Sequence, residues 1–230
     1  MVRALFFDVF GTVVDWRRGI LDACAAVSER TGVSADWAVI TDDWRRAYPA
    51  AMVAARREPE WQNLDRLQAR TLDDVLAHHQ VDLPAADRAD LVRAWRCLPP
   101  WPDSRFGLAQ LRSHFTTATL SNGHVALLVD LLKFGDLLVD AVLSAELANS
   151  YKPDPAVYRR AAALLECPLE EAAMVAAHGS DLEAAAALGL RPVFVRRPYE
   201  WGPDASATPP PDLPGLVVVD ELAEIAAQLR

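Results

Sequence analysis

The chain has 230 residues, 52% of them hydrophobic and 24% charged, with a formal net charge of −9. That length and balance suit one sizeable buried core, alone or with a smaller inserted domain, and exclude disorder as the default. The excess of 32 Asp and Glu over 23 Lys and Arg speaks against a nucleic-acid partner or an anionic membrane surface. Cys24, Cys97 and Cys167 are scattered and show no CxxC or Cys/His spacing, so neither a disulfide framework nor a zinc site is expected. The amino-terminal run meets Asp8 too early for a signal peptide, and no apolar stretch nears the roughly 18 residues that span a bilayer. The expectation is a soluble, cytoplasmic protein.

Ala4–Phe7 is a short apolar run ended by Asp8, with Gly11 and Thr12 just beyond. It predicts a buried parallel strand whose carboxyl end presents Asp8, the end at which open α/β sheets bind ligands. From about Asp15 to Trp95 the apolar spacing is helical. Leu21, Ala25 and Ser28 share one helix, and Trp37, Ile40, Trp44, Tyr48 and Met52 mark a second, which Pro49 should kink or split. Leu64 to Leu76 suggest a third and Leu91 to Trp95 a fourth, so a separate helical layer is predicted. Pro99, Pro100 and Pro102 form a stiff link out of it.

Beyond the link, strands and helices alternate. Asp103 can cap a helix to about His114, followed by the strand Thr116–Leu120 and the turn Ser121-Asn122-Gly123. A helix His124–Lys133, a strand Ala141–Ser144 and a helix Asp154–Glu166 come next. Then follow a strand Met174–Ala177, a helix Asp181–Leu188 and a strand Pro192–Val195. The Pro- and Asp-rich segment Arg197–Pro214 reads as a mobile surface loop before the strand Leu216–Val219 and a last helix from Glu221. Alternating βα units imply a parallel sheet. The predicted fold class is α/β: a doubly wound, Rossmann-like core of residues 1–14 and 98–230, interrupted after its first strand by a helical insert of residues 15–97.

Asp8, Ser121-Asn122, Lys152 and Asp181 fall at or just beyond consecutive predicted strand ends. Each has an ordinary reading: a turn residue, Ser-Asn-Gly turn chemistry, a surface lysine, a helix N-cap. Strand ends of one sheet converge in space, however, and that favours a site. Phe7-Asp8-Val9-Phe10-Gly11-Thr12, Leu120-Ser121-Asn122-Gly123, Tyr151-Lys152-Pro153-Asp154 and Asp181 resemble, in order, the four motifs of the haloacid dehalogenase superfamily. The helical insert resembles that superfamily's cap domain.

Two departures from the phosphatases of the superfamily are informative. Phe10 stands where they carry the second Asp of Asp-x-Asp, and it cannot donate a proton to a leaving alkoxide. Ala176, Ala177, His178, Gly179 and Ser180 precede Asp181, so the acidic pair that holds Mg²⁺ is reduced to one carboxylate. Loss of halide from carbon needs neither a metal nor a general acid. The chain resembles the L-2-haloacid dehalogenase branch in this respect, and Trp44-Arg45 and Tyr158 match that branch as well.

The resemblance implies a metal-independent, cofactor-free dehalogenase of short 2-haloacids. Asp8 would attack C2 and form an aspartyl ester, with Thr12 orienting it and Lys152 keeping it ionised. Arg45 and Asn122 would receive the halide, and Ser121, Lys152 and the backbone N–H groups after Asp8 (Val9, Phe10) the substrate carboxylate. Asp181 would pair with Lys152 and help position the hydrolytic water. Trp44, Trp61 and Phe10 are candidates for an apolar wall, with core packing the alternative for any one Trp. His178 replaces the branch's Asn, and a neighbouring Ser is missing too. It could act as base for ester hydrolysis, tighten a halide pocket suited to fluoroacetate, or merely cap a helix. His124 is expected near the site; His78, His79 and His114 look structural, and Arg46, Arg56 and Arg57 solvated. A homodimer suits the resemblance. A Mg²⁺-dependent phosphatase and a catalytically idle binding protein on the same scaffold are the competing readings.

Overall fold

The structure, a computed structural model, describes residues 1–58 and 60–229. The strands are β1 (Ala4–Phe7), β2 (Thr116–Ser121), β3 (Ala141–Ser144), β4 (Ala172–Ala176), β5 (Arg191–Val195) and β6 (Val217–Val219). They form one parallel sheet in the order β3-β2-β1-β4-β5-β6. In β1 the side chains alternate between faces: Leu5 and Phe7 join one apolar cluster, Ala4 and Phe6 the other. The strand order reverses between β1 and β4, so the crevice expected of a doubly wound sheet opens beside Asp8.

Between β1 and β2 come α1 (Trp16–Thr31), α2 (Trp37–Ala55), α3 (Leu64–His78) and α4 (Ala85–Ala94), then α5 (Ser104–Arg112) back on the sheet. Asp15, Asp36 and Asn63 cap the first three by accepting the N–H three residues on, which fixes where each helix begins. The cluster that holds Leu5 and Phe7 continues into this layer through Trp44, Leu67, Leu91 and Trp95. The chain enters and leaves the layer side by side. The Asp15 N–H donates to the Pro99 carbonyl at 2.8 Å and the Trp101 N–H to the Val13 carbonyl at 3.1 Å. The remaining helices are α6 (Val125–Gly135), α7 (Pro155–Leu164), α8 (Gly179–Ala186) and α9 (Ile225–Leu229). No helix among the described residues is long and apolar enough to cross a membrane.

Several expectations need correction. Pro49 does not split its helix: α2 runs on to Ala55. A proline deletes only the hydrogen bond to the carbonyl four residues back, and buried Trp44, Tyr48 and Met52 on the same helix hold it together. Helix α4 starts at Ala85, directly after Pro84, six residues before the apolar signal. Asp103 makes no capping bond; its carboxylate instead accepts from the Arg197 guanidinium and the Leu222 N–H. Asp181 lies inside the first turn of α8 rather than capping it. The loop after β5 does not start as a surface segment, because Glu200 is 2% exposed and Trp201 packs edge-on against Trp16.

Candidate active site

Asp8 follows β1 directly, its N–H bonded to the Val175 carbonyl of β4. Both carboxylate oxygens are held. Oδ1 accepts from Lys152 Nζ at 3.0 Å, and Oδ2 from Thr12 Oγ1 at 2.9 Å, with His178 Nδ1 at 3.0 Å. Thr12 also accepts from the Ala177 N–H, which pins the turn after β1 to the end of β4. Burial by itself would raise the Asp8 pKa. The Lys152 charge and the His178 hydrogen bond outweigh it and hold the carboxyl far below the usual carboxylate range.

Lys152 Nζ also donates to Asp181 Oδ2 at 2.5 Å, and the Tyr158 hydroxyl donates to Asp181 Oδ1 at 2.5 Å. Burial opposes the ammonium charge, but Asp181 and Asp8 together raise the Lys152 pKa, so it stays a cation. The Asp181 pKa is raised, burial outweighing the pull of Lys152. Burial and the Asp181 charge likewise push the Tyr158 phenol up.

His178 stands between two carboxylates: Nδ1 faces Asp8, and Nε2 faces Glu200 Oε1 at 2.9 Å. Burial would lower its pKa. The Glu200 charge and the hydrogen bonds to Asp8 and Glu200 outweigh that and push it up to about 10. A ring whose two nitrogens both meet carboxylates carries both protons. Glu200 is fixed in turn by the Trp16 indole N–H at 2.9 Å. Gly11 makes room for it: a Cβ there would lie 2.2 Å from Glu200 Oε1, and its φ of +86° already favours glycine.

Asp8, Lys152, Asp181 and His178 border a cavity of about 450 Å³ whose remaining wall includes Phe10, Arg45, Tyr48, Met52, Asn122 and Trp201. The Arg45 guanidinium lies over the Trp16 and Tyr48 rings, 5.4 and 5.2 Å from their centroids. Asn122 is oriented by the Lys152 N–H, which donates to its Oδ1 at 2.6 Å. Ser121 is buried and accepts from the Gly123 N–H at 3.1 Å.

The arrangement presents a fixed, ionised carboxylate to a cavity whose lining also includes a cation, Arg45 of α2. A sequence model of the haloacid dehalogenase-like hydrolases matches residues 2–189. The chain belongs to that family. Within it, this haloacid dehalogenase-like hydrolase is similar to the solved structure of a defluorinating L-2-haloacid dehalogenase, 38% identical with a TM-score of 0.93, covering 100% of this chain and 95% of that one. A second L-2-haloacid dehalogenase structure is 35% identical, with a TM-score of 0.92 and full coverage of both chains. The (S)-2-haloacid dehalogenase 4A of Burkholderia cepacia is 27% identical over 210 residues, 88% of each chain.

Not every residue expected at this hydrolase's site is there. Trp61 borders a separate cavity with Ser150 and Tyr151, donating to the Ser150 carbonyl at 3.2 Å and stacking on Tyr151. Trp44 is a core residue whose indole N–H donates to the Gln68 carbonyl and to Thr71. Tyr158 reaches the cavity only through Asp181. His124 joins Arg96 and Asp65 where helical layer and core meet, away from the cavity lining. Arg46 lines the cavity with its guanidinium over Trp201, and Arg56 bonds the Tyr151 carbonyl, so neither is simply solvated. Glu200, Trp201 and Tyr48 escaped the sequence reading. The only signal for the first two was a charged and an aromatic residue together amid prolines.

Proposed function

We propose that the protein is a metal-independent hydrolytic dehalogenase of short 2-haloalkanoic acids such as chloroacetate, fluoroacetate and L-2-halopropionate. It converts them to 2-hydroxy acids through an ester on Asp8. One observation carries the reading: an ionised carboxylate, held on both oxygens, borders a small cavity whose helical wall bears Arg45 with no carboxylate partner among the described residues. Phe10, 3% exposed and edge-on to Trp95, keeps a proton donor away from the leaving group. The names of the relatives support the substrate class, one of them being described as defluorinating. The reading takes residues 15–97 as a cap over the core, and the enzyme as cytoplasmic, in keeping with three unpaired cysteines.

In the first half-reaction an Asp8 oxygen attacks C2 and the halide departs towards Arg45 and Asn122. Ser121, Lys152 and the Val9 and Phe10 N–H groups receive the substrate carboxylate. In the second, water adds to the Asp8 carboxyl carbon. Before the ester exists His178 is an imidazolium. Esterification removes the negative charge opposite Nδ1, so the ring can release that proton to solvent and then take one from the attacking water. Glu200 retains the proton on Nε2. Collapse of the adduct transfers the second water proton to the departing alkoxide and returns the Asp8 carboxylate. Replacing Glu200 by Gln is therefore expected to slow ester hydrolysis about 10²-fold while halide release in the first turnover is little changed. Rapid-quench halide assays and intact-protein mass spectrometry would show a burst and an accumulating ester. Equal slowing of both steps would reduce Glu200 to a structural role.

A hard cation is held by oxygen ligands with carboxylates supplying the charge, and this donor set does not fit one. Asp8 and Asp181 spend theirs on Lys152, Thr12, His178 and Tyr158, with the Lys152 ammonium standing between the two carboxylates. Halide release from chloroacetate is expected to persist in EDTA, and phosphate release from an aryl phosphate with Mg²⁺ to be absent. Dehalogenation that EDTA abolishes, or none at all, would overturn the proposal.

A further inference from the structure

We infer that the Tyr48 hydroxyl is a third donor of the leaving-group pocket and selects among halides, an inference that rests on the dehalogenase reading above. Tyr48 sits on α2 three residues after Arg45, so the two side chains share a helix face. The residue is 7% exposed and lines the Asp8 cavity, yet its hydroxyl has no hydrogen-bond partner among the described residues. Its ring is fixed beneath the Arg45 guanidinium. Burial pushes the phenol's pKa up despite the nearby Arg45 charge, so it remains an O–H donor at any working pH.

A buried hydroxyl left unpaired is costly, and in native proteins such a group calls for an explanation. The neighbouring groups offer it little. Arg45 has donors only, and the Asn122 carbonyl oxygen is taken by the Lys152 N–H. The Asn122 amide nitrogen donates to the Lys152 carbonyl at 3.4 Å and faces the Met52 sulfur at 3.2 Å and the Tyr48 oxygen, so it offers the Tyr48 proton no acceptor. Arg45 and the Tyr48 O–H thus meet beside the cavity without a strong acceptor, next to the Asn122 amide, which is the donor composition of an anion site. A halide displaced from C2 leaves on the side opposite the attacking oxygen; Asp8 follows β1 of the sheet, whereas Arg45 and Tyr48 come from α2 of the helical layer. Acceptor strength rises from bromide to chloride to fluoride, so losing one O–H donor weakens the departure of fluoride most.

The test is Tyr48→Phe, which keeps the ring under Arg45 and removes only the hydroxyl. Steady-state halide release from bromo-, chloro- and fluoroacetate is compared with wild type. The kcat/KM for fluoroacetate is expected to fall about 10²-fold, for chloroacetate less than about 10-fold, and for bromoacetate least. If wild type does not turn over fluoroacetate, the chloro-to-bromo ratio serves as the readout and is expected to fall about threefold. The thermal midpoint should hold or rise, since the lost hydroxyl had no partner; a purely structural hydroxyl would lower it. Equal losses across the halides, or no loss, would overturn the inference while leaving the dehalogenase reading intact. A wild-type enzyme that releases no halide from any of the three overturns the reading on which it rests.

Discussion

Asp8→Asn is expected to eliminate halide release, by at least about 10⁴-fold, without unfolding the protein. A carboxamide does not displace halide from carbon at a useful rate, and no other carboxylate takes its place: Asp181 is engaged by Lys152 and Tyr158, Glu200 by His178 and Trp16. The fold should survive because each cation beside Asp8 has a second anion. Lys152 keeps Asp181 at 2.5 Å and His178 keeps Glu200 at 2.9 Å. The Asn carbonyl oxygen can still accept from Thr12. Ion chromatography of released halide, alongside calorimetric unfolding, checks both halves. Turnover near the wild-type rate in a folded Asp8→Asn protein would remove Asp8 as nucleophile.

Lys152→Met should act on stability as much as on catalysis. The ammonium is 7% exposed and bridges two carboxylates that are themselves buried. Removing one partner of a buried ion cluster typically costs about 3–5 kcal/mol, because the charge left behind has neither water nor counterion. The response to pH should steepen, since His178, raised to about 10, already makes the wild type gain stability as pH falls towards its unfolded value of about 6.5. In the wild type the Asp8 pKa is depressed on folding, so its contribution is present above the unfolded value of about 3.9 and is lost as pH falls below it. Without Lys152, burial and mutual repulsion raise the carboxyl pKa values above their unfolded ones. The variant should then gain stability as pH falls from about 7.5 to 5, by taking up a proton between Asp8 and Asp181. Urea unfolding at both pH values checks this, and parallel curves for variant and wild type would contradict it.

The core of the site was legible because its carriers obey strong local rules. A buried parallel strand reads as an unbroken apolar run, so the charge that ends it, Asp8, stands out. Ser121, Asn122, Lys152 and Asp181 could be gathered with it because parallel strands place their carboxyl ends on one edge of the sheet. Aromatic residues were harder. Trp44, Tyr48 and Trp61 all lie in or beside helical segments of similar pattern. Which of them meets a cavity, a core or a second groove depends on how helices pack, and spacing does not encode that. Pro49 does not end its helix because intrinsic propensity is outweighed by burial on the same helix. Glu200 was invisible for another reason. Its loop has no periodicity, and it reaches His178 across 22 residues only because Gly11 leaves a gap for it.

That loop has a thermodynamic consequence. Between Arg197 and Gly215 it contains six prolines, at 198, 203, 209, 210, 211 and 214. Each proline narrows the conformations open to the unfolded chain, so less entropy is lost when the segment is ordered on folding. The carboxylate behind His178 is therefore set in place during folding and needs no help from an arriving ligand. A substrate of only a few heavy atoms has little binding energy to give. In the proposed reaction, with His178 and Glu200 already ordered, what it has can be directed to the charge that develops on the departing halide.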